Sequence, residues 1–297
     1  MKEQLQKILE KQYTEEYVTK IMSGYKKTRK TTLRVNTIKS SIEEIKNKLN
    51  EANIDYEQVD WSKEVFIIKN ADEKIIQEMD IYKNGQIYLQ SLSSMLPPII
   101  LDPKQGSDIL DMAAAPGGKT TQIAALSNNK SHITACEKNK IRFERLKYNI
   151  EKQGASCVFI MAKDSRYIDD FFSFDQILLD APCSGSGTLN IEDMKFEKNF
   201  TEQLIEKSIK IQESLLKKAI KILKPGHEMV YSTCSILSSE NEDVINRVIR
   251  STDAEIVPIH FDGIEQLPLL PTKINGTLCI CPTELYEGFF VAKIRKN

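Results

Sequence analysis

No apolar run in this sequence is long enough to cross a bilayer. The most apolar stretch, Met95–Leu101, is short and carries Pro97 and Pro98, whereas a spanning helix needs about 20 apolar residues. Residues 1–30 are charged throughout and hold no hydrophobic block, so no signal peptide is expected. A dominant charge is missing too: 41 Lys and Arg stand against 42 Asp and Glu, a net charge of -1. Any nucleic-acid contact must therefore rest on a local basic surface. Cysteines are few and scattered. The only close pair among the six, Cys279 and Cys281, has no second pair to complete a zinc site, so no metal is expected. Scattered thiols fit a reduced, cytoplasmic setting. No internal repeat or low-complexity tract is present, and a monomer is the default expectation.

What is present fits a soluble globular protein, with 41% hydrophobic and 28% charged residues. A length of 297 residues suggests one large domain and a smaller one. Leu5, Ile8, Leu9 and Tyr13 sit at helical spacing, predicting a helix over 1–24 that stops at Gly24. A basic stretch follows: Lys26, Lys27, Arg29, Lys30, Arg34 and Lys39, with no acid until Glu43. It reads either as a solvated loop or as a phosphate-contacting arm, and its concentration in one segment of a near-neutral chain favours the arm. A strand over 32–37, a helix over 41–50 and a strand over 65–68 complete a small α/β module expected to span residues 1–85.

From residue 86 to 297 strands and helices alternate. Strands are predicted at 108–112, 133–136, 157–161, 174–179, 228–231 and 288–294. Helices are predicted at 119–126, at 140–153 between an Asn139 cap and a Gly154 stop, and at 201–223. The last should turn Leu204, Ile211, Leu215, Ala219 and Ile222 inward. Ser239 and Glu242 suggest a capping box for a further helix to Ile249. Such alternation implies a mostly parallel sheet covered on both faces. Ligands of such sheets bind beyond the carboxyl ends of the strands, so the loops after Met112, Cys136, Met161, Leu179 and Tyr231 should converge.

The first of these loops runs Asp111-Met-Ala113-Ala114-Ala115-Pro116-Gly117-Gly118-Lys119-Thr120. Its glycines let backbone approach a ligand, and the helix it opens offers free N–H groups. Two readings compete. Residues 113–120 nearly fit a phosphate-binding loop, and Gln176–Asp180 resembles a strand ending in a magnesium-binding acid, as in a triphosphatase. Pro116, which lacks an N–H, weighs against this. Glu137 and Asp164 end the next two strands, where acids can hold ribose hydroxyls and an adenine amine. That is a nucleoside site, and it suits the adenosyl part of S-adenosylmethionine.

Two further loops carry thiols. Asp180-Ala-Pro-Cys183-Ser-Gly-Ser-Gly187 follows one strand, and Ser232-Thr233-Cys234-Ser235 follows the next. Two thiols and an acid beside a methyl donor suit methylation of cytosine at carbon 5. That carbon becomes nucleophilic only after a thiolate adds to carbon 6. Asp180 is placed to stabilise charge at N3. The ring must be unstacked for attack on its face, so the target should be single-stranded or flipped out.

In these motifs the chain resembles the NOL1/NOP2/Sun family of RNA cytosine-5 methyltransferases, over nearly all 297 residues. Arg34-Val-Asn-Thr matches the family's N-terminal signature, and Tyr88–Pro97 the segment entering its catalytic domain. Ala113–Lys119 matches its donor loop, Asp180-Ala-Pro-Cys183-Ser-Gly and Ser232-Thr233-Cys234-Ser235 its two cysteine motifs, and Gly288–Lys293 its closing strand. The resemblance implies a Rossmann-like S-adenosylmethionine-dependent methyltransferase domain with an RNA-recognition-like module before it. It implies Cys234 as nucleophile, Cys183 as an aid to product release, and Ala113–Lys119, Glu137, Asp164 and Asp180 as the donor site. Ribosomal RNA of the small subunit is the first expected substrate, with tRNA second. Two departures are visible: Ala113 stands where the family usually has Cys, and the sequence ends soon after the closing strand, which suggests no additional RNA-binding domain. Two rivals remain: a DNA cytosine methyltransferase, which would make Cys183 the nucleophile, and an RNA-binding assembly factor that keeps the donor pocket without catalysis.

Overall fold

Residues 32–89 fold as β1 (Thr32–Val35), α3 (Ile42–Glu51), β2 (Tyr56–Val59), β3 (Ser62–Ile68), α4 (Glu73–Glu78), α5 (Asp80–Lys83) and β4 (Ile87–Leu89). The chain is described by a computed structural model covering residues 2–190 and 200–297. The four strands pair antiparallel in the order β2-β3-β1-β4, the ferredoxin-like arrangement of two interleaved strand–helix–strand units. Ile45 and Leu49 of α3 and Ile76 and Ile81 of the α4–α5 segment bury one sheet face with Leu33, Phe66 and Ile87. The Ser41 side chain caps α3 by accepting from Glu44 N. β4 begins just beyond the expected boundary at residue 85, and belongs to this sheet.

The predicted N-terminal helix is two helices, α1 (Lys2–Gln12) and α2 (Glu15–Gly24), broken at Tyr13–Thr14. Both pack away from the small sheet. Leu5, Leu9, Tyr13, Val18, Ile21 and Tyr25 enter the core of the larger domain. A Cβ on Gly24 would lie 1.8 Å from Pro282 O, so only glycine allows that approach. The break follows from packing: the Tyr13 hydroxyl donates to Ile236 O at 2.9 Å, anchoring the turn near a cysteine loop.

The larger domain continues with α6 (Leu92–Leu101), β5 (Asp108–Asp111), α7 (Gly118–Leu126), β6 (His132–Cys136), α8 (Lys140–Gln153), β7 (Val158–Met161), β8 (Phe174–Asp180), α9 (Glu202–Ile222), β9 (Leu223–Thr233), α10 (Glu242–Ile249), β10 (Ala254–Val257), β11 (Leu269–Leu270), β12 (Leu278–Ile280) and β13 (Phe289–Lys296). Strands β9-β8-β5-β6-β7 are parallel neighbours. β13 pairs antiparallel with β9 and carries β10, β12 and, through β12, β11. The expected parallel sheet therefore has an antiparallel flank, built from short strands with no clear alternation. Residues of alternate register face opposite layers: Leu178, Val230 and Val291 pack under α6–α8, while Ile177, Met229 and Phe290 pack under α9 and α10.

Three local differences follow from tertiary contacts. In α9, Ile205, Ser208 and Gln212 are buried with Leu215 and Ala219, while Leu204 and Ile211 are only partly covered. Gln212 turns inward because its Nε2 donates to Pro182 O at 2.9 Å. The capping box does not form: Asn241 precedes α10 without a side-chain cap bond, and its Oδ1 instead accepts from Thr233 Oγ1 at 2.6 Å. Lys224-Pro225-Gly226 lies inside β9, since that strand begins directly after α9. Among the described residues no helix is long and apolar enough to cross a membrane.

Candidate active site

The donor loop leaves β5 at Asp111, whose carboxylate is almost wholly shielded. Oδ2 accepts from Thr120 Oγ1 at 2.7 Å, and Oδ1 has no partner among the described residues. Burial pushes this carboxyl up to about 6, against the pull of the Thr120 hydrogen bond. The engaged Thr120 hydroxyl is also fully buried, unlike the metal-facing hydroxyl a triphosphatase loop requires. Gly117 has φ +109, and a Cβ there would meet Leu146 Cδ1 at 3.2 Å, so the loop fits under α8 only with glycine. A Cβ on Gly118 would crowd Tyr88 Cε1 at 3.1 Å.

Lys119 points along the sheet edge to Asp180, at 2.7 Å from Oδ2, and to Ser94 Oγ at 2.8 Å. Ser232 Oγ donates to the other Asp180 oxygen at 2.8 Å. Ser94 is held in α6, where Pro98 cannot supply the helical N–H that Ser94 O would accept; Gln90 Nε2 donates to it at 3.0 Å instead.

The two cysteine loops are bound to each other along their length. Cys183 and Cys234 bring their sulfurs to 3.2 Å. The adjacent Cys234 sulfur, burial and the Glu240 carboxylate together hold the Cys183 thiol well above its ordinary range. The two sulfurs are close enough to share a hydrogen bond, with either thiol able to donate. Glu240, fully buried, accepts from Ser184 N at 2.7 Å, Ser184 Oγ at 2.5 Å and Ser235 Oγ at 2.6 Å, so one carboxyl clamps both loops. Burial raises its pKa. Gly187 N donates to Cys234 O at 2.9 Å, and a Cβ on Gly187 would lie 1.9 Å from Gly288 O. The Tyr25 hydroxyl donates to Ser186 O at 2.5 Å, bringing the N-terminal segment into the same scaffold.

A chamber of about 340 Å³ gathers Asp111, Ala113–Pro116, Gly118, Lys119, Asp180 and Cys234, closed by Glu287 and Phe289. Glu137 and Asp164 line a neighbouring recess of about 50 Å³ that shares Ala113 with it. That recess is narrow because arginines fold across it. Arg142 donates to Ala115 O at 2.6 Å and lies 3.5 Å from Glu137 Oε2. Arg166 pairs with Asp164 at 2.6 Å, and that hydrogen bond holds the Asp164 carboxyl down at about 2. The residues fit S-adenosylmethionine: an orphaned buried carboxylate oxygen on Asp111 suits the methionyl amine, and Glu137 and Asp164 suit the ribose and adenine. The half-exposed Arg142 gives up little on moving aside.

The basic residues are not brought together as one arm. Arg34 is 2% exposed and cannot present its charge to a phosphate. Its guanidinium donates to Gln90 Oε1, Gly118 O and Thr121 Oγ1 at 3.0, 3.0 and 2.6 Å. Burial lowers it to about 10. The expected phosphate contact is thus corrected to a tie between the small sheet and the donor loop. Lys26 and Lys27 are exposed, Lys30 lies 3.4 Å from Glu284, and Lys39 donates to Asn84 O at 3.1 Å. Arg29 is half-buried, with only a 3.5 Å contact to Gly187 O. The sequence by itself does not single out Asp111, Ser94, Glu240 or Glu287 as site residues. Asp111 had a signal, since it ends a strand at the loop; Glu240 had only its place in an apparent cap.

A parallel sheet carrying this donor loop, acids at successive strand ends and a chamber at the carboxyl edge defines a Rossmann-like S-adenosylmethionine-dependent methyltransferase. The chain belongs to the RsmB/F methyltransferase family: a family model described as 16S rRNA methyltransferase RsmB/F matches residues 98–295, and one for the ferredoxin-like domain of RsmF/B-like methyltransferases matches residues 3–73. The tRNA (cytosine(49)-C(5))-methyltransferase of Pyrococcus abyssi is 36% identical over 274 residues, covering 89% of this chain and 87% of that protein. Ribosomal RNA small subunit methyltransferase F of Shewanella loihica is 35% identical over 278 residues, 89% of this chain and 56% of that protein. The chain thus spans little more than half the length of that relative. Among solved structures, NSun6 from Pyrococcus horikoshii with SFG superposes with a TM-score of 0.87 at 25% identity, covering 98% of this chain and 97% of the other.

Proposed function

We propose that this chain transfers a methyl group to carbon 5 of a cytosine in RNA, with Cys234 as nucleophile. The observation that carries this reading is the pair of sulfurs 3.2 Å apart, with Cys234 opening into the chamber that also holds Asp180 and the donor loop. Cys234 adds as thiolate to carbon 6, and the C5=C6 electrons shift to carbon 5, making it nucleophilic. S-adenosylmethionine supplies the electrophilic methyl that carbon 5 takes up. The Asp180 carboxylate accepts from the N4 amine of the ring, and the Lys119 ammonium beside it balances charge gathering at N3 and O2. Cys183 aids the release: as water takes the carbon 5 proton, those electrons restore the C5=C6 bond and expel Cys234 as thiolate, whose charge the Cys183 S–H, with its sulfur 3.2 Å away, stabilises.

Residues 86–297 form the catalytic unit in this reading, and the preceding module helps to hold RNA in the cytoplasm. Ribosomal RNA of the small subunit is the first substrate candidate, supported by the family match. A tRNA is the second, supported by the 36% identity to the Pyrococcus abyssi tRNA methyltransferase. The test is incubation with labelled donor and separate small-subunit rRNA and tRNA transcripts, followed by bisulfite sequencing. Label at a single cytosine of either is expected; donor binding without label in any RNA would instead support the assembly-factor reading.

A further inference from the structure

Beside the chamber lies a second cavity of about 490 Å³, within the range of ligand sites. Tyr88–Ser91, Pro116 and Glu287 line both, so the two spaces adjoin. The far wall of the second comes from the basic stretch, through Arg29 and Lys30, and from α8, through Lys152 and Gln153. An RNA strand that enters the chamber from this side carries its backbone past this lip.

The wall is unsatisfied in a way that specifies an occupant. Lys152 has no carboxylate partner among the described residues; its ammonium lies 3.7 Å from the centre of the Tyr82 ring. Burial and the nearby Lys39 push its pKa down, as for a cation lacking an anion. Arg29 likewise has no ion pair among the described residues, and its Nε is shielded without a hydrogen-bond partner. Gln153, 2% exposed, has an unpartnered Oε1. Two carboxylates share the cavity. Glu287 is engaged by Ser91 Oγ at 2.7 Å, and Glu73 lies in the exposed first turn of α4. Two cations without carboxylate partners on one wall match a phosphate.

We infer that this second cavity seats the nucleotide adjoining the target cytosine, its phosphate held by Arg29 and Lys152. The inference rests on the RNA methyltransferase reading and adds to it a subsite for sequence context. The test uses a short fluorescent single-stranded oligoribonucleotide containing one cytosine, titrated into the full chain with S-adenosylhomocysteine bound, at several salt concentrations. Arg29→Gln and Lys152→Gln should each weaken binding about 10-fold, as for one charged hydrogen bond. Each should also lower the slope of log affinity against log salt, and the double substitution should lower it by about 0.7, one single-strand phosphate contact. Lys152→Arg should recover most of both. S-adenosylhomocysteine affinity and melting temperature report that the variants are folded. Folded variants with wild-type RNA affinity and salt slope would overturn the inference, as would equal adduct formation by the wild type with free cytidine monophosphate and with the oligonucleotide. Those results leave the methyltransferase reading standing; failure of the wild type to transfer methyl to any RNA would remove both.

Discussion

Replacing Glu240 by Gln tests whether the two cysteine loops depend on one carboxyl. The side chain keeps its shape, and its remaining oxygen can still accept from Ser184 N. The hydroxyls of Ser184 and Ser235, at 2.5 and 2.6 Å from Oε2, then face an amide that donates. In acid, where the neutral carboxyl is the stabilised form, each lost hydrogen bond is worth about 0.5–1.5 kcal/mol, and two hydroxyls lose their acceptor, so a loss of about 2 kcal/mol is expected. In a domain of this size that lowers the melting temperature by about 4–8 °C. The sign with pH is fixed. Burial raises the folded carboxyl above 4.5, so the native state binds the proton more tightly than the unfolded chain. The contribution of the acid is whole below the unfolded pKa and declines as pH rises through the folded one. The gap between wild type and Gln should therefore be widest in acid and narrow toward neutral pH. A displacement of either sulfur by about 1 Å should cost about 100-fold in methyl transfer. Scanning calorimetry across pH and a labelled-donor assay measure both; an unchanged melting temperature together with an unchanged rate would refute the clamp.

Two other substitutions probe the frame around the chamber. Arg34→Leu leaves Gln90 Oε1 and Thr121 Oγ1 without their Arg34 donor and should destabilise the chain by about 2–4 kcal/mol, read by urea unfolding; a loss of RNA affinity with no loss of stability would restore it to the surface role. Asp111 has a folded carboxyl at about 6 against 3.8 ordinarily, so it costs stability as pH rises across that window, by about 3 kcal/mol when complete. Asp111→Asn should abolish that slope. In the wild type, S-adenosylhomocysteine affinity by calorimetry should fall as pH drops below about 6, because only the carboxylate pairs with the ligand amine; in the Asn variant it should be weak and flat.

The parts of the fold that local chemistry decides were legible in the sequence. Asn139 caps α8 by accepting from Arg142 N at 3.1 Å, and Gly154 ends it at φ +69. Both thiol loops follow adjacent parallel strands, in which Asp180 registers with Ser232, and this brings the cysteines together. What the sequence concealed depends on partners far along the chain. Arg34 reads as a surface cation until Gln90, Gly118 and Thr121 surround it. Glu240 and Asn241 read as part of a helix start because nothing local reveals that Ser184 and Thr233 claim their side chains. The helices before residue 25 look like part of the small module, and only their burial in the larger core, with contacts to Ile236, Cys279 and Pro282, assigns them to it. The second cavity is equally nonlocal, since its walls come from the basic stretch, the α4–α5 segment, α8 and the segment before β13.

Denaturing electrophoresis of the protein after incubation with donor and its RNA tests most directly which sulfur bonds to the ring. Cys183→Ala should accumulate a protein–RNA band that carries the methyl group and survives denaturation, because the adduct forms and cannot resolve. Cys234→Ala should give no band and no transfer. A stable band from Cys234→Ala, with none from Cys183→Ala, would reverse the roles of the two thiols and contradict the account.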